Sequence, residues 1–413
     1  MKLEKIGFYT MSDNRAKNVS IDSPIYRAEF IITDKCNFKC PYCRGVNKTE
    51  LSFNEFKNQL DLLNNSGGII NIRLSGGEPT LNKELEKMVS YARSIPAIQH
   101  IAISTNGSAN IGTYRKLISS GVNDFSISFD ACCSVDCDTL SGRVGYWNKI
   151  KANIASISKL CYVSVGTVIN ETNEAKIKDV VLEADRLGVR DIRIIPSAQY
   201  NKSSMFSLPD RIINKHPILK YRMENMGDNI SFRGLSGNDS QLCPLVIDDL
   251  AILNGEHYPC IIYMREKGNP IGELNRGFRG TRHKWFLQHN CKKDKICLNN
   301  CLDVCRDYNR VATREYIEKR ATIPLLGADS FNWLDWLAKD LFDFKWRTNS
   351  IIQHKGDLNK FALGWIWGND LFCRPKQDNI AVLFEKNGDR FWSHLWVSEF
   401  VQTFIKESGN GHN

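Results

Sequence analysis

Between residues 26 and about 196 the chain alternates short apolar runs, rich in β-branched residues, with longer stretches of helical periodicity. The runs are AEFIIT (28–33), INIRLS (70–75), HIAIST (100–105), DFSISFD (124–130), YVSVGTVI (162–169) and DIRIIP (191–196). Two of the stretches between them, FNEFKNQLDLLNNSGG and EAKIKDVVLEADRLGV, stop at Gly67, Gly68 and Gly188, as helices do at a left-handed cap. Six strand–helix units predict an α/β fold with a parallel sheet, open or closed into a partial (β/α)6 barrel. In such sheets chemistry collects at the C-terminal strand ends. That is where this chain places its unusual residues.

The repeat then stops. Residues 201–240, containing NKSSMFSLPD and SFRGLSGNDS, predict a connecting region, and 241–310 is Cys-rich. Residues 311–413 hold seven of the nine tryptophans and predict a small aromatic-rich α+β module. Within it, residues 328–346 space Phe331, Leu334, Leu337, Leu341 and Phe344 as an amphipathic helix. FALGWIWGNDLFCRP and IAVLFEKNGDRFWSHLWV read as strands, with KNGD as a hairpin turn. The tryptophans are either the core of this module or a docking surface. No run of Lys or Arg interleaves with them, which argues against a nucleic-acid partner.

At 413 residues the chain outgrows a single core, so residues 1–25 (an N-terminal segment), 26–200, 201–240, 241–310 and 311–413 are its expected divisions. No run of about 18 apolar residues predicts a membrane span, and MKLEKIGFYTMSDNRAK lacks the apolar stretch of a signal peptide. The expected location is cytoplasmic. There thiols stay reduced, so fourteen cysteines read as metal ligands or catalytic thiols rather than disulfides. The formal charge of +9 is spread along the chain and names no partner.

The loop after the first strand, TDKCNFKCPYC, spaces Cys36, Cys40 and Cys43 as C-x3-C-x2-C. Three thiolates can hold three corners of a [4Fe–4S] cluster, and with no fourth ligand nearby one iron is left open to chelate a small molecule. The spacing alone also admits a three-cysteine zinc site or plain loop thiols. Combined with LSGGEPTL (74–81) after the second strand, it resembles the radical S-adenosylmethionine (SAM) superfamily over residues 26–200. The resemblance implies a cluster that binds SAM and cleaves it reductively to a 5′-deoxyadenosyl radical, which abstracts hydrogen. It also implies a low-potential electron donor such as flavodoxin or ferredoxin.

The same resemblance assigns residues to SAM. Tyr42 is similar to the aromatic residue whose backbone meets adenine. Gly76, Gly77 and Glu78 match the motif whose backbone receives the SAM ammonium group, and glycine suits such a close approach. Ser104 and Asn106 in STNG, and Ser128 and Asp130 in SISFD, fall where relatives hold the methionyl carboxylate and the ribose. Arg143 falls where relatives place a carboxylate-binding arginine; from the residue alone, a solvated surface arginine fits equally. The family offers no counterpart for Cys132, Cys133 and Cys137 in DACCSVDC, which read as loop thiols, substrate-facing thiols or an accidental metal site.

Farther on, Cys243, Gly255 and Cys260 space as C-x11-G-x4-C, and Cys291, Cys297, Cys301 and Cys305 follow in CKKDKICLNNCLDVC. This resembles the SPASM extension, which binds auxiliary iron–sulfur clusters, except that Gln288 stands where the family pattern has its first cysteine of the tail. The family wiring implies Cys243, Cys260 and Cys301 on one [4Fe–4S] cluster and Cys291, Cys297 and Cys305 on another. One auxiliary cluster using four of the six is an alternative, and zinc a further one, because thiolate sets suit both metals.

The expected function is therefore a radical SAM, peptide-modifying oxidoreductase acting on a ribosomally made peptide by cross-linking, thioether formation, epimerisation or oxidation. A nucleoside, sugar or other small molecule is the alternative substrate; a zinc-binding interaction protein is the alternative outside enzymes. With about 27 residues before strand one, selection of a peptide is expected to fall to the tail.

Overall fold

The computed structural model describes residues 9–200, 206–321, 361–365, 380–386 and 389–395. Strands β1 (Ile25–Thr33), β2 (Ile69–Gly76), β3 (His100–Thr105), β4 (Asp124–Ser128), β5 (Tyr162–Ile169) and β6 (Asp191–Pro196) pair in parallel in the order β6-β5-β4-β3-β2-β1. Helices cross between them, as a parallel sheet requires. The fourth strand stops at Ser128, two residues short of the run DFSISFD, and Asp130 sits in the loop beyond it.

Alternation within the strands sorts the two faces. Phe30, Ile72, Leu74, Ile101, Ile103, Phe125, Val163, Val165, Ile192 and Ile194 are buried in one continuous apolar core. The interleaved positions are polar: Glu29, Arg73, Ser75, Ser104, Ser126 and Arg193 all line an inner cavity. The open partial barrel thus has a greasy outside under its helices and a polar inside.

The sheet does not end at β1. β7 (Asp249–Leu253) pairs in parallel with the free edge of β1, and β8 (Glu256–Tyr258) and β9 (Gly272–Glu273) continue it antiparallel to nine strands. Gly255 serves the β7–β8 hairpin. Asn254 (φ 52°) and Gly255 (φ 79°) are both left-handed, the conformation a two-residue turn of this hand demands. The Gly-x4-Cys spacing is therefore a hairpin that returns the chain to Cys260.

Two helices, Asp210–Lys215 and Pro217–Gly227, occupy the stretch expected to be connecting chain. Pro217 opens the second helix at a position where its missing N–H costs nothing. That helix packs on β6, and its buried Arg222 pairs with Asp303 at 2.5 Å. Its periodicity is blurred because Arg222 and Asn225 are buried alongside Ile218, Leu219 and Met226.

A separate antiparallel sheet consists of β10 (Phe361–Trp365), β11 (Ile380–Lys386) and β12 (Asp389–Leu395). Lys386 pairs with Asp389, giving the hairpin expected at KNGD. The helix expected over 328–346 lies outside the described residues. Among the described residues no helix is long and apolar enough to cross a membrane.

Candidate metal and SAM site

Cys36, Cys40 and Cys43 all line a cavity of about 520 Å³ at the C-terminal ends of the parallel strands. The loop that carries them is pinned from three sides. Asn106 Nδ2 donates to Asn37 Oδ1 (2.8 Å), Asn37 Nδ2 donates to Ser108 Oγ (2.8 Å), and Lys39 N donates to Ser141 O (2.7 Å). The Tyr42 hydroxyl donates to Asp130 Oδ2 at 2.6 Å, tying the loop to the end of β4.

The Gly-Gly-Glu turn is the fourth support. Gly77 N donates to Thr33 O (2.8 Å) and Glu78 N to Lys35 O (2.7 Å), so the turn lies directly on the segment entering the cysteine loop. A Cβ on Gly76, whose φ is 149°, would sit 2.2 Å from Thr33 O, and one on Gly77 2.3 Å from Lys35 O. Close approach by a ligand was the expected reason for these glycines. In the structure the chain's own carbonyls fill that space.

The SAM-assigned residues separate by place. Tyr42, Gly76, Gly77, Ser104, Asn106, Ser128 and Asp130 line the cavity. Glu78 does not: it is fully buried, and its carboxylate accepts from Thr80 Oγ1 (2.6 Å), Thr105 Oγ1 (2.7 Å) and Asn106 N (2.7 Å). Its side chain therefore braces the STNG loop, while its backbone meets Lys35. Arg143 is exposed, with Nε donating to Asn37 O at 3.0 Å, and is not among the lining residues.

Burial raises the Cys36 thiol, and burial followed by the Asp130 charge pushes Cys40 up to about 12. Burial likewise lifts Asp130 to about 6, against hydrogen bonds from Tyr42 and from Val168 N. A bound metal reverses this for thiols, because ligation requires the thiolate and displaces the proton.

Five arginines that sequence reasoning did not single out also reach the cavity: Arg44, Arg73, Arg193, Arg233 and Arg265. Arg265 comes from the Cys-rich lobe and donates to Gly76 O (3.0 Å) and Gly45 O (3.2 Å), clamping the glycine turn to the cysteine loop. Of the cysteines after β4, Cys137 lines this cavity. Cys132 and Cys133 gather with Asp136, whose carboxylate is held by Lys176 at 2.7 Å.

The six remaining candidate ligands, Cys243, Cys260, Cys291, Cys297, Cys301 and Cys305, converge on one second cavity. All six share that one cavity rather than lining two. The Cys291 thiol faces Cys297, of its own set, and also Cys243, across the expected division. That contact, with Asn309 Nδ2 at 3.3 Å, holds Cys243 below the ordinary thiol range, while burial raises Cys260, Cys301 and Cys305, the last to about 12. Buried Arg282 fixes the lobe's backbone by donating to Val246 O (2.7 Å), Asp249 O (2.6 Å) and Tyr258 O (2.9 Å). His289, absent from the sequence-derived set, places Nε2 3.9 Å from Cys297 Sγ.

Residues 30–184 match the family described as the Radical SAM superfamily. The mitochondrial GTP 3′,8-cyclase of Arabidopsis thaliana is 28% identical over 210 residues, covering 47% of this chain and 53% of that protein. The GTP 3′,8-cyclase of Syntrophomonas wolfei is 30% identical over 205 residues, covering 47% and 61%. The chain thus spans little more than half the length of these relatives. Among solved structures, SuiB of Streptococcus suis aligns with a TM-score of 0.48 at 13% identity, covering 67% of this chain and 68% of that one. The protein anSMEcpe with bound AdoMet aligns at 0.46 and 16%, covering 70% and 95%.

Proposed function

Because the chain belongs to the radical SAM superfamily through residues 30–184, we propose that its barrel cavity is the site of SAM-dependent hydrogen abstraction from a peptide substrate. The observation that carries the chemistry is the convergence of Cys36, Cys40 and Cys43, from one loop, on one cavity, whose other lining cysteine, Cys137, comes from the separate helix Ser134–Ser141. The donor set fits a [4Fe–4S] cluster with one open iron. When bound, cluster and SAM supply one-electron cleavage and a carbon-centred radical.

The protein's own contribution is position. Asn37, Asn106, Tyr42 and the Gly76–Gly77 turn fix the ligand loop, and Arg265 bolts the auxiliary lobe to it. The Cys-rich lobe beside the cavity supports the peptide reading, since SPASM-like lobes accompany peptide modification. A second reading, a small anionic substrate, is favoured by the arginines at the cavity wall and by the curated relatives named as GTP cyclases. Guanidinium groups suit carboxylate and phosphate alike.

The test is anaerobic reconstitution of the full chain with iron, sulfide, a reductant and SAM. Wild-type protein should form 5′-deoxyadenosine, and C36A/C40A/C43A should form none while keeping any metal of the lobe. Persistent product in the triple variant removes the assignment. Candidate peptides and nucleotides are then compared for the mass change each acquires.

A further inference from the structure

The resemblance left a gap at Gln288, where a ligand was expected. In the structure Gln288 is exposed on the last turn of the helix Phe278–Gln288. The helix ends there. His289 takes extended backbone angles (φ −84°, ψ 127°), with its N–H bonded to Trp285 O, so the next side chain along leaves the helical path.

That side chain is aimed and held. The imidazole stacks on Trp285 (centroids 3.9 Å apart, planes 14° apart) and meets the edge of Tyr263. Its Nε2 lies 3.9 Å from Cys297 Sγ, and the ligand atoms of His289, Cys291 and Cys297 all fall within 4.8 Å of one another. Cys297 is itself placed by Asp294, whose Oδ1 accepts from Cys297 N at 2.9 Å. Asp294 Oδ2, 3.5 Å from the same Nε2, is occupied by the Tyr263 hydroxyl at 2.8 Å.

These separations discriminate between kinds of centre. Sulfur at about 2.3 Å and nitrogen at about 2.0–2.1 Å from one tetrahedral ion are about 3.6 Å apart. Terminal ligands of a cubane each sit on a different iron, so the iron–iron edge spreads them farther. We propose that His289, Cys291 and Cys297 bind a single zinc-type ion, with His289 supplying the position that a cysteine at 288 would have held. Cys243, Cys260, Cys301 and Cys305 remain for an auxiliary iron centre in the same lobe. The inference rests on the lobe being a metal-binding one and not on the radical reaction.

The experiment uses the full chain purified with Zn²⁺ present, counted for zinc and iron and measured at the zinc absorption edge. Wild type should hold one zinc per chain, with sulfur neighbours at about 2.3 Å and one imidazole nitrogen at about 2.0–2.1 Å. H289A should lose the nitrogen neighbour and bind zinc at least about tenfold more weakly, the low end of the loss caused even by outer-sphere changes. H289C should keep zinc in an all-sulfur shell, and Q288A should change nothing. Iron at the barrel cluster, equal in all four proteins, reports that each has folded. Zinc absent from wild type, or retained by H289A with its nitrogen neighbour and affinity intact, overturns the proposal. Either result leaves the barrel assignment standing.

Discussion

Gly77→Ala tests the support of the cysteine loop with the least chemical change. The added Cβ would lie 2.3 Å from Lys35 O and 2.7 Å from Asp34 O, against about 3.4 Å for ordinary contact. The loop must therefore recede by about 1 Å at Lys35, one residue before Cys36. Overpacking of this kind costs about 1–3 kcal/mol, and a 1 Å error at a reacting centre can cost about 10²-fold in rate. Gly255→Ala is the control: its φ of 79° is strained for alanine, at about 1–2 kcal/mol, but nothing lies within 4 Å. Both variants should lose comparable stability in denaturant unfolding. Only Gly77→Ala should also lose barrel-cluster iron and 5′-deoxyadenosine formation in the anaerobic assay. If Gly77→Ala reconstitutes and turns over like wild type, carbonyl crowding is not what this glycine answers to.

Two further outcomes are expected. Asp130 is raised from 3.8 to about 6 by burial, so the folded chain holds a proton that the unfolded chain has lost; its contribution to stability falls as pH rises through that window and is flat above it. Subtracting the stability of D130N from that of metal-free wild type should give a negative slope with pH between those values, and a flat or rising difference would rule this out. Arg282→Ala should leave several buried acceptors unpartnered, at about 1–3 kcal/mol each. Amides of β7 and β8 should then exchange faster while those of β3 and β4 stay protected, and Arg282→Lys should not rescue them because an ammonium cannot span the separated carbonyls; uniform loss of protection would contradict the local role.

How much of this was legible in the sequence depends on the range of the interaction concerned. HIAIST, YVSVGTVI and DIRIIP coincide with β3, β5 and β6, because alternation in a two-faced strand is written residue by residue. The convergence of Cys36, Cys40 and Cys43 is likewise local. The helix Pro217–Gly227 was not legible, since its buried face carries Arg222 and Asn225, both paired with Asp303 far along the chain. Gly76 and Gly77 were recognised, but their reason lay in β1's exit loop, more than forty residues earlier. His289 was not singled out in sequence; the end of one helix and a stacked tryptophan make it face Cys297. A helix stop just before a lone His in a Cys-rich stretch is the clue that could have found it.

Finally, β1 is hydrogen-bonded along both edges, to β2 on one side and β7 on the other. One strand therefore leads into the loop bearing Cys36 and also carries the hairpin that returns to Cys260. A ladder of backbone bonds has no hinge, so the spacing between the two cysteine regions is set along β1 like a gauge.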